Sequence, residues 1–585
     1  MKKIKKLTLL TTLLLITLTG CEKDTISSID GSTSEEKTSE TSSTSNKTSS
    51  TSASNSTSSS SVTLNPDDEP TSAYNLTGLT TTSLISSDDI SYSYTASEVT
   101  NYTTTITSAG IYKVTGTLTS TVTVEAKGSE VTLILNNATI TVDTFACIYV
   151  KKAKKVNIIL EGSNTLTSTS DFTQIDTNTV DACIYSKADL VIKGTGTLNV
   201  TSSLHGITGK DTVVITSATV NITSTKKGLD INDALVTSSA DITINATTDA
   251  INVDTDDTTL GYIYLKDTDM NITTKQDGIS ATGILQIEGG EYTINATSSA
   301  SLDDESIKGI KSDSSIILVN PTMTINSKDD SIHASNVEVV SGTYTLTTTD
   351  DAIHADNSLY FDYGTLTVTS CYEGMEGTLV NIDDGIISII ASDDGINASS
   401  DVTTSPMQSD NTSAIVINGG YITIDATGDG IDSNNNLTVT GGKIVVYGPT
   451  SNGESALDFD GTGKITGGTV IAFGSSGMAQ NFTSATQGSI LYNFSSSNSA
   501  KSVVQLLDSS SNVLINETSK KTFSSVVVSS PDLTTNSTYT LKVGSSSNSI
   551  TLSQYIYSNS NSGNQGGPGG GGNNPGGPGG GGNRP

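Results

Sequence analysis

A repeat of about 22 residues runs through most of this 585-residue chain. Its clearest mark is a large apolar residue in a Gly/Ala-Ile-x-Ala motif, here called the anchor. A second apolar column, from Ile222 to Ile424, precedes the next anchor by seven residues at nearly every turn. Two columns with matched spacing indicate one structural unit that is stacked many times. The anchors are Ile148, Ile184, Ile207, Leu229, Ile251, Ile279, Ile310, Ile332, Ile353, Met375, Ile396, Ile431 and Leu457.

Each unit reads as three short segments rich in β-branched residues, separated by Gly, Asn and Asp. Such segments are typical of strands bounded by turns, and none carries a helical period over ten or more residues. A turn of about 22 residues has a perimeter of roughly 70 Å, enough for a three-sided coil whose turns stack at about 4.8 Å. The repeat therefore predicts an all-β chain, a right-handed, single-stranded parallel β-helix with three sheets and one continuous core.

The two ends of the chain differ from the repeat. Residues 1–20 read as a signal peptide, because four lysines precede a short apolar run that ends at Leu18-Thr19-Gly20-Cys21. Cys21 is predicted to carry lipid, so we expect an exported protein anchored to the outer face of the bacterial cell membrane and exposed at the cell surface. The remaining predicted regions are a disordered Ser/Thr-rich linker (21–75), the β-helix (76–480), a small β cap domain (481–557) and a disordered Gly/Pro/Asn-rich tail (558–585).

Composition narrows the choice of partner. The formal net charge is −31 and no basic patch is visible in the sequence, which argues against nucleic acid and favours cations or ligands bridged by cations. After Cys21 only Cys147, Cys183 and Cys371 remain, so the fold is no disulfide scaffold. Cys147 and Cys183 occupy equivalent places in two turns, where they either form a bridge or serve as small buried hydrophobes.

Three insertions interrupt the regular spacing, at residues 253–261, 297–306 and 399–411. Two of them follow the anchor strand and one precedes it. We therefore expect all three to rise around one face of the coil, where repeat proteins usually place a ligand site. Neutral variation of surface loops is the alternative.

Two columns of polar residues flank the anchors. The corner column lies two places before the anchor and holds Asp249, Asp277, Lys308, Asp330, Asp351, Glu373, Asp394 and Asp429. The strand column lies one place after the anchor and holds Asp230, Asn252, Ser280, Lys311, His333, His354, Glu376, Asn397, Asp432 and Asp458. Stacked like charges about 5 Å apart cost about 1 kcal/mol per pair in water, and a bound cation removes that cost. Paired oxygen ligands suit Ca²⁺. The alternative is that Asp-Gly and Asp-Asp simply make good corners.

The chain contains no Trp, so any sugar contact must use Tyr or polar groups. His333 and His354 lie in adjacent turns with Glu376 next, and hydrogen bonding to sugar is favoured there over a two-histidine metal site. The predicted substrate-binding residues are His333, His354, Tyr372, Glu376 and Asn397.

The segments DDAIHAD (350–356), SCYEGMEG (370–377), ASDDGINAS (391–399), GDGIDSN (428–434) and GGTVIAFGSSGMAQ (467–480) resemble those of clostridial cell-surface carbohydrate-binding β-helix proteins, which bind cellulose and polygalacturonate. The resemblance covers about residues 80–550. It implies a pectate-lyase-like β-helix, bound Ca²⁺ and polysaccharide binding, with a metal face made of Asp329, Asp330, Asp350, Asp351, Glu373, Asp393 and Asp394. The chain diverges at Cys371 and in the lysine-rich VKKAKKV of the first turns.

Three functions compete. The leading hypothesis is a non-catalytic protein that binds an acidic or neutral polysaccharide, such as polygalacturonate or a cellulose-like polymer, with the help of Ca²⁺. The second is a calcium-dependent polysaccharide lyase in which Lys308 or Lys311 is the base; surrounding carboxylates would keep such a lysine charged. The third is an adhesin or structural protein of the envelope.

Overall fold

The computed structural model describes residues 97–99, 104–170, 172–299, 306–400 and 409–559. The predicted signal peptide, Cys21, the linker and nearly all of the tail lie outside these ranges. The described chain is all-β and contains no helix. Within it there is accordingly no helix long and apolar enough to cross a membrane.

Most strands belong to one 42-stranded sheet, and from Thr105 to Ala485 the strands pair in parallel with their equivalents in the next turn. The pairing separates into three ladders, here called A, B and C, which the chain visits in that order. Ladder A carries the anchors and consists of Thr105–Ile106, Val122–Glu125, Ile148–Lys152, Ala182–Ser186, His205–Gly209, Leu229–Ile231, Ile251–Val253, Ile279–Ala281, Ile396–Ala398, Ile431–Ser433 and Asp458–Phe459, with the starts of four longer strands given below.

Ladders B and C complete each turn. Ladder B contains Ser97–Val99, Lys155–Glu161, Asp189–Lys193, Val213–Thr216, Ala234–Ser238, Tyr262–Lys266, Leu285–Glu288, Ala414–Ile417, Asn436–Val439, Gly463–Ile465 and Ser484–Ala485. Ladder C contains Ser163–Ser168, Thr197–Ser202, Thr219–Ser224, Asp241–Asn245, Asp269–Thr274, Glu291–Ala296, Thr365–Cys371, Ile386–Ala391, Tyr421–Ala426, Lys443–Tyr447 and Thr469–Gly474. Six strands bend through a corner and serve two or three ladders: Gly110–Leu118, Glu130–Thr141, Ile310–Ser327, Ile332–Thr347, Ile353–Phe361 and Met375–Ile382.

The two apolar columns of the sequence are stacked in register. Anchor pairs such as Ile251 with Ile279 are direct partners in ladder A. Ile244 and Ile272, from the second column, are direct partners in ladder C. All of these side chains are buried in one continuous core. The parallel, helix-like stacking predicted from the repeat is therefore confirmed.

The glycine before several anchors is required by a close approach to the next turn. A Cβ atom at Gly228 would lie 2.5 Å from the Cγ2 atom of Ile244 and 2.6 Å from the carbonyl oxygen of Ala250. A Cβ atom at Gly278 would lie 2.4 Å from the carbonyl oxygen of Gly309. These contacts are shorter than van der Waals distances, so glycine lets the anchor strand enter the core at these turns.

The last strand of ladder C, Thr469–Gly474, is covered by the antiparallel strand Phe523–Ser530. That strand also pairs with Gly488–Asn498, which pairs in turn with Ile556–Ser558. A separate antiparallel sheet follows the order Val513–Thr518, Val503–Leu507, Ser537–Val543 and Ser546–Leu552. This region has its own apolar cluster, and the antiparallel cover ends the parallel stacking.

At the other end, Ser97–Val99 and Thr105–Ile106 continue ladders B and A, so these strands belong to the stack itself. Cys147 and Cys183 are free and fully buried. Cys147 Sγ donates to the carbonyl oxygen of Thr167 at 3.2 Å. The two thiols thus pack as small side chains of the core.

Candidate functional site

The insertions and both polar columns meet on ladder A. Residues 253–261 and 399–411 follow strands of this ladder, and residues 297–306 precede one; of these, 300–305 and 401–408 lie outside the described residues. The strand column is in register across turns, as in His333 opposite His354 and Asn397 opposite Asp432. The face that carries the insertions and the two polar columns, here called the ladder A face, is therefore one continuous surface.

Corner-column carboxylates bond to the backbone of the next turn. Asp330 Oδ1 accepts the backbone N–H of Asp351 at 3.1 Å, and Asp351 Oδ1 accepts that of Glu373 at 3.0 Å. The same bond joins Asp394 Oδ1 to the N–H of Asp429 at 2.6 Å. Each such oxygen satisfies a corner N–H, which explains in structural terms why acids recur at this position. One oxygen of each carboxylate remains for another partner.

Lys308 neutralises the middle of the face. Its Nζ atom lies 2.6 Å from Asp329 Oδ1 and 2.7 Å from Asp330 Oδ2, and its side chain is largely buried. Burial lowers the pKa of Lys308, but the charges of Asp330 and Asp329 outweigh this effect and hold the pKa above its ordinary value. The ammonium group is thus kept charged, which is unfavourable for a general base. Lys311 is separate, 4.0 Å from the exposed Asp313.

The two histidines add further positive charge. His333 Nδ1 lies 2.6 Å from Asp330 Oδ2, and His354 Nδ1 lies 3.3 Å from Glu376 Oε2 and 3.5 Å from Asp351 Oδ2. Burial lowers the pKa of His354, but the hydrogen bond to Asp351 and the charge of Glu376 raise it to about 9. His354 is therefore protonated at neutral pH and pairs with the acids around it. The imidazole rings are 4.7 Å apart.

At the C-terminal end of the face, no lysine or histidine of the described chain offsets the charge of the acids. Carboxylate oxygens of Asp429, Asp432 and Asp458 lie within 4.8 Å of one another. Burial, followed by the charges of neighbouring acids, raises the pKa of Asp429 and of Asp432 to about 8, and that of Asp394 to about 7. Within the described ranges no Lys or His forms an ion pair with any of these four acids, here called the acidic cluster. Its excess negative charge is relieved only when protons or another cation are bound.

Asn397 borders the acidic cluster. It lies in register between Glu376 and Asp432, is only 9% exposed, and donates from Nδ2 to Glu373 Oε2 at 2.9 Å. Its Oδ1 atom is fully buried and accepts no hydrogen bond in the described structure. A buried carbonyl oxygen without a donor costs about 1–3 kcal/mol. It is a neutral oxygen ligand of the kind found in cation sites.

The other predicted residues lie along the same face. Asp350 has a carboxylate oxygen within 4.8 Å of those of Asp329 and Asp330. Tyr372 is 46% exposed, and its hydrogen bond to Asp393 raises the pKa of the phenol to about 12. In Glu373, burial and then the charge of Glu376 raise the pKa to about 9.

The structure brings together one group that the sequence prediction did not single out as a site, namely Asp429, Asp432 and Asp458. The signal was present, because all three occupy the two polar columns and Asp429 and Asp432 lie in the motif GDGIDSN. They were missed because the sequence prediction weighted adjacent Asp-Asp pairs, whereas these acids come together across turns.

Comparisons with known proteins agree with a role in sugar binding. The family model described as "Carbohydrate-binding domain-containing protein" matches residues 100–352 and 347–487. A curated protein of Acetivibrio thermocellus with the same description is 36% identical over 95 residues, which are 15% of this chain and 33% of that protein. The chain thus spans about a third of the length of that relative. No solved structure matches the chain.

Proposed function

The chain belongs to the family of carbohydrate-binding domain-containing proteins, and on that premise we propose that it binds a polysaccharide along the ladder A face with the help of Ca²⁺. The observation that carries the calcium part is the acidic cluster of Asp394, Asp429, Asp432 and Asp458, which lacks a cationic partner among the described residues. The polymer class proposed is polygalacturonate or a cellulose-like chain.

The donor set of the cluster fits a hard cation. Carboxylates and an amide carbonyl are the ligands that Ca²⁺ takes, usually six to eight oxygens. Asn397 Oδ1, buried and without a hydrogen bond, supplies the neutral oxygen beside the carboxylates of the cluster. Bound Ca²⁺ would offset the like charges and leave positions for oxygens of an acidic sugar.

The remaining predicted metal ligands are weaker candidates. Asp329 and Asp330 are engaged by Lys308, and Asp351 lies beside the protonated His354. A divalent cation there would have to displace or repel these positive groups. We therefore place the calcium proposal at the Asp394 end of the face, which Glu373 and Asp393 border, whereas Asp350 lies with Asp329 and Asp330.

Sugar contacts are proposed for the more accessible residues of the same face. Tyr372 offers an exposed ring on which a sugar can pack. His333, His354 and Glu376 offer hydrogen-bonding atoms on the same face, where they are in register in ladder A. A small hollow of about 90 Å³ lies next to them, lined in part by Ser399 and Ser400. A polysaccharide chain lying along the ladder would meet these groups turn after turn.

Two finer features of the prediction are also proposed. The right-handed, three-sheet, pectate-lyase-like β-helix is supported by the three ladders and the repeat of about 22 residues. Lipid anchoring at Cys21 on the cell surface is supported by the sequence at the chain start alone. Metabolic labelling with a fatty acid, lost in Cys21→Ala, is the test of the anchor. No observation favours the lyase alternative, because Lys308 is held charged.

The binding proposal is tested with the purified chain, polygalacturonate and cellulose, in excess Ca²⁺ and in chelator. We expect binding in Ca²⁺, weaker binding to polygalacturonate in chelator, and loss of the calcium-dependent part in Asp429→Asn/Asp432→Asn. The matched control is Asp189→Asn/Asp241→Asn, which neutralises two exposed acids far from the cluster. Absence of binding to either polymer in both conditions would refute the function. Unsaturated product appearing in the polygalacturonate sample would establish a lyase instead.

A further inference from the structure

The first turns of ladder A carry an open cavity of about 650 Å³ that is basic rather than acidic. Four of its lining residues are Lys127, Lys151, Lys152 and Lys187, which three consecutive turns contribute. Another part of the cavity wall is formed by Asp176 and Asn178. The volume lies within the range of about 300–1,000 Å³ usual for ligand pockets. The cavity is distinct from the acidic cluster, which lies at the other end of the same ladder.

A fourth insertion, which the sequence prediction did not single out, forms that wall. It joins Ser163–Ser168 to Ala182–Ser186, and all of it except residue 171 lies within the described ranges. The buried Tyr149 donates from Oη to Asp176 Oδ2 at 2.9 Å and accepts from Asn178 Nδ2 at 2.6 Å. Phe172 packs with Phe145 beneath it. The wall is thus fixed to the ladder by both polar and apolar contacts, and the cavity is preformed.

The lysines are only partly neutralised. Lys151 lies 3.6 Å from Glu125 and 3.4 Å from Asp176, and Lys152 lies 3.3 Å from the same Glu125. Lys187 donates to the neutral Asn178 Oδ1 at 2.7 Å. Across the described ranges neither Lys127 nor Lys187 forms an ion pair. The four lysines thus outnumber the two acids with which Lys151 and Lys152 pair, which leaves an excess of positive charge in a chain whose formal net charge is −31.

We propose that this cavity is a second ligand site, which takes carboxylate groups of an anionic polysaccharide without calcium. The choice of a sugar polymer rests on the proposed function, whereas the site itself rests on the lysines. Lys127 and Lys187, which form no ion pair in the described structure, would pair with ring carboxylates. The acidic cluster needs a bridging cation to hold the same polymer, and this cavity does not.

The two sites are arranged to act on one polymer. Eleven stacking steps of ladder A separate the anchor Ile148, beside the cavity, from Ile431, beside the acidic cluster. At about 4.8 Å per step they are roughly 50 Å apart along the stack. A polymer held at both points would bind more tightly than at either one alone.

The experiment compares Lys127→Glu/Lys187→Glu with Lys464→Glu/Lys542→Glu in the purified chain. Both variants change the net charge equally, but the second pair lies outside the cavity. Binding to polygalacturonate and to its methyl-esterified, uncharged form is measured in chelator and in excess Ca²⁺. In chelator we expect the cavity variant to bind polygalacturonate about tenfold more weakly and the control about twofold at most, with salt weakening wild-type binding. The increase in polygalacturonate binding on addition of Ca²⁺ should be retained in both variants.

Equal binding of the two variants in chelator would overturn the inference. So would equal wild-type binding of the charged and esterified polymers in chelator, or wild-type binding that needs Ca²⁺ entirely; both results leave the calcium-assisted function standing. Absence of binding in every condition would overturn both proposals together. The four substituted lysines of the two variants are exposed or half-buried. The thermal unfolding temperature in chelator should therefore be nearly the same for both variants and wild type, which checks that each variant is folded.

Discussion

Replacing Asp432 with Asn should stabilise the calcium-free chain and remove much of the stabilisation that Ca²⁺ provides. The side chains have nearly the same shape, but Asn carries no charge among Asp394, Asp429 and Asp458. Burial and those three charges raise the pKa of Asp432 from 3.8 to about 8. The folded chain therefore holds a proton that the unfolded chain has lost between about pH 4 and pH 8, so the free energy of unfolding falls as pH rises through this window.

The magnitude follows from that shift. Keeping Asp432 protonated at pH 7, when its unfolded pKa is 3.8, corresponds to about 4 kcal/mol at 1.36 kcal/mol per pH unit. The charge repulsion is shared among the neighbouring acids. We therefore expect Asp432→Asn to raise the free energy of unfolding by about 2–4 kcal/mol at pH 8 in chelator and by almost nothing at pH 4. At about 2.1 cal/mol/K of unfolding entropy per residue, 1 kcal/mol moves the Tm of a folded region of more than about 400 residues by about 1 °C, which gives a rise of about 2–4 °C.

The assay is thermal or urea unfolding at pH 5 and pH 8, in chelator and in Ca²⁺, with Asp241→Asn as the control for removal of an exposed charge. Ca²⁺ at about 100 times its dissociation constant should add about 2.7 kcal/mol to wild type and much less to Asp432→Asn. A variant that unfolds more easily than wild type at pH 8 in chelator, or that gains as much from Ca²⁺, would refute the assignment of the cluster.

Three further outcomes are expected. Lys308→Ala should lower the free energy of unfolding by about 3–5 kcal/mol in urea titrations, because the buried Asp329 and Asp330 both lose their ammonium partner and Asp330 keeps only its histidine partners. Lys311→Ala, whose partner Asp313 is exposed, should cost about 1 kcal/mol or less. The His354 ring should titrate by NMR in chelator with a midpoint near pH 9, and the stability from its protonation, present below about pH 6.5, should be lost as pH rises to about 9; a midpoint near 6.5 would contradict the pairing. Ile353→Ala should cost about 2–5 kcal/mol in the same urea titrations, since its side chain is fully buried.

The period of the sequence predicts the stacking well because apolar spacing alone determines which residues face the core. Ile251, Ile279 and Ile310 are direct partners in ladder A for this reason. The same register places the polar columns on one surface, so the location of the candidate site was also predictable. Register requires only the backbone and the pattern of burial.

The charge balance within that surface could not be read from the pattern. Lys308 reaches the carboxylates of the next turn through a long, flexible side chain, and column position does not reveal which acids it neutralises. The wall around Asp176 depends on how an insertion folds back onto Tyr149, and insertions carry no repeat. Such contacts follow from side-chain conformation and loop packing, which a spacing rule does not determine.

Each turn of the stack pairs only with the turns directly before and after it. Duplication or deletion of one complete unit would therefore change the neighbours of only the turns that flank it. The separation between any two groups on the ladder A face would change in discrete increments of about 4.8 Å. The number of repeat units encoded in the gene thus determines how far apart the face holds the contacts that it offers to a long polymer.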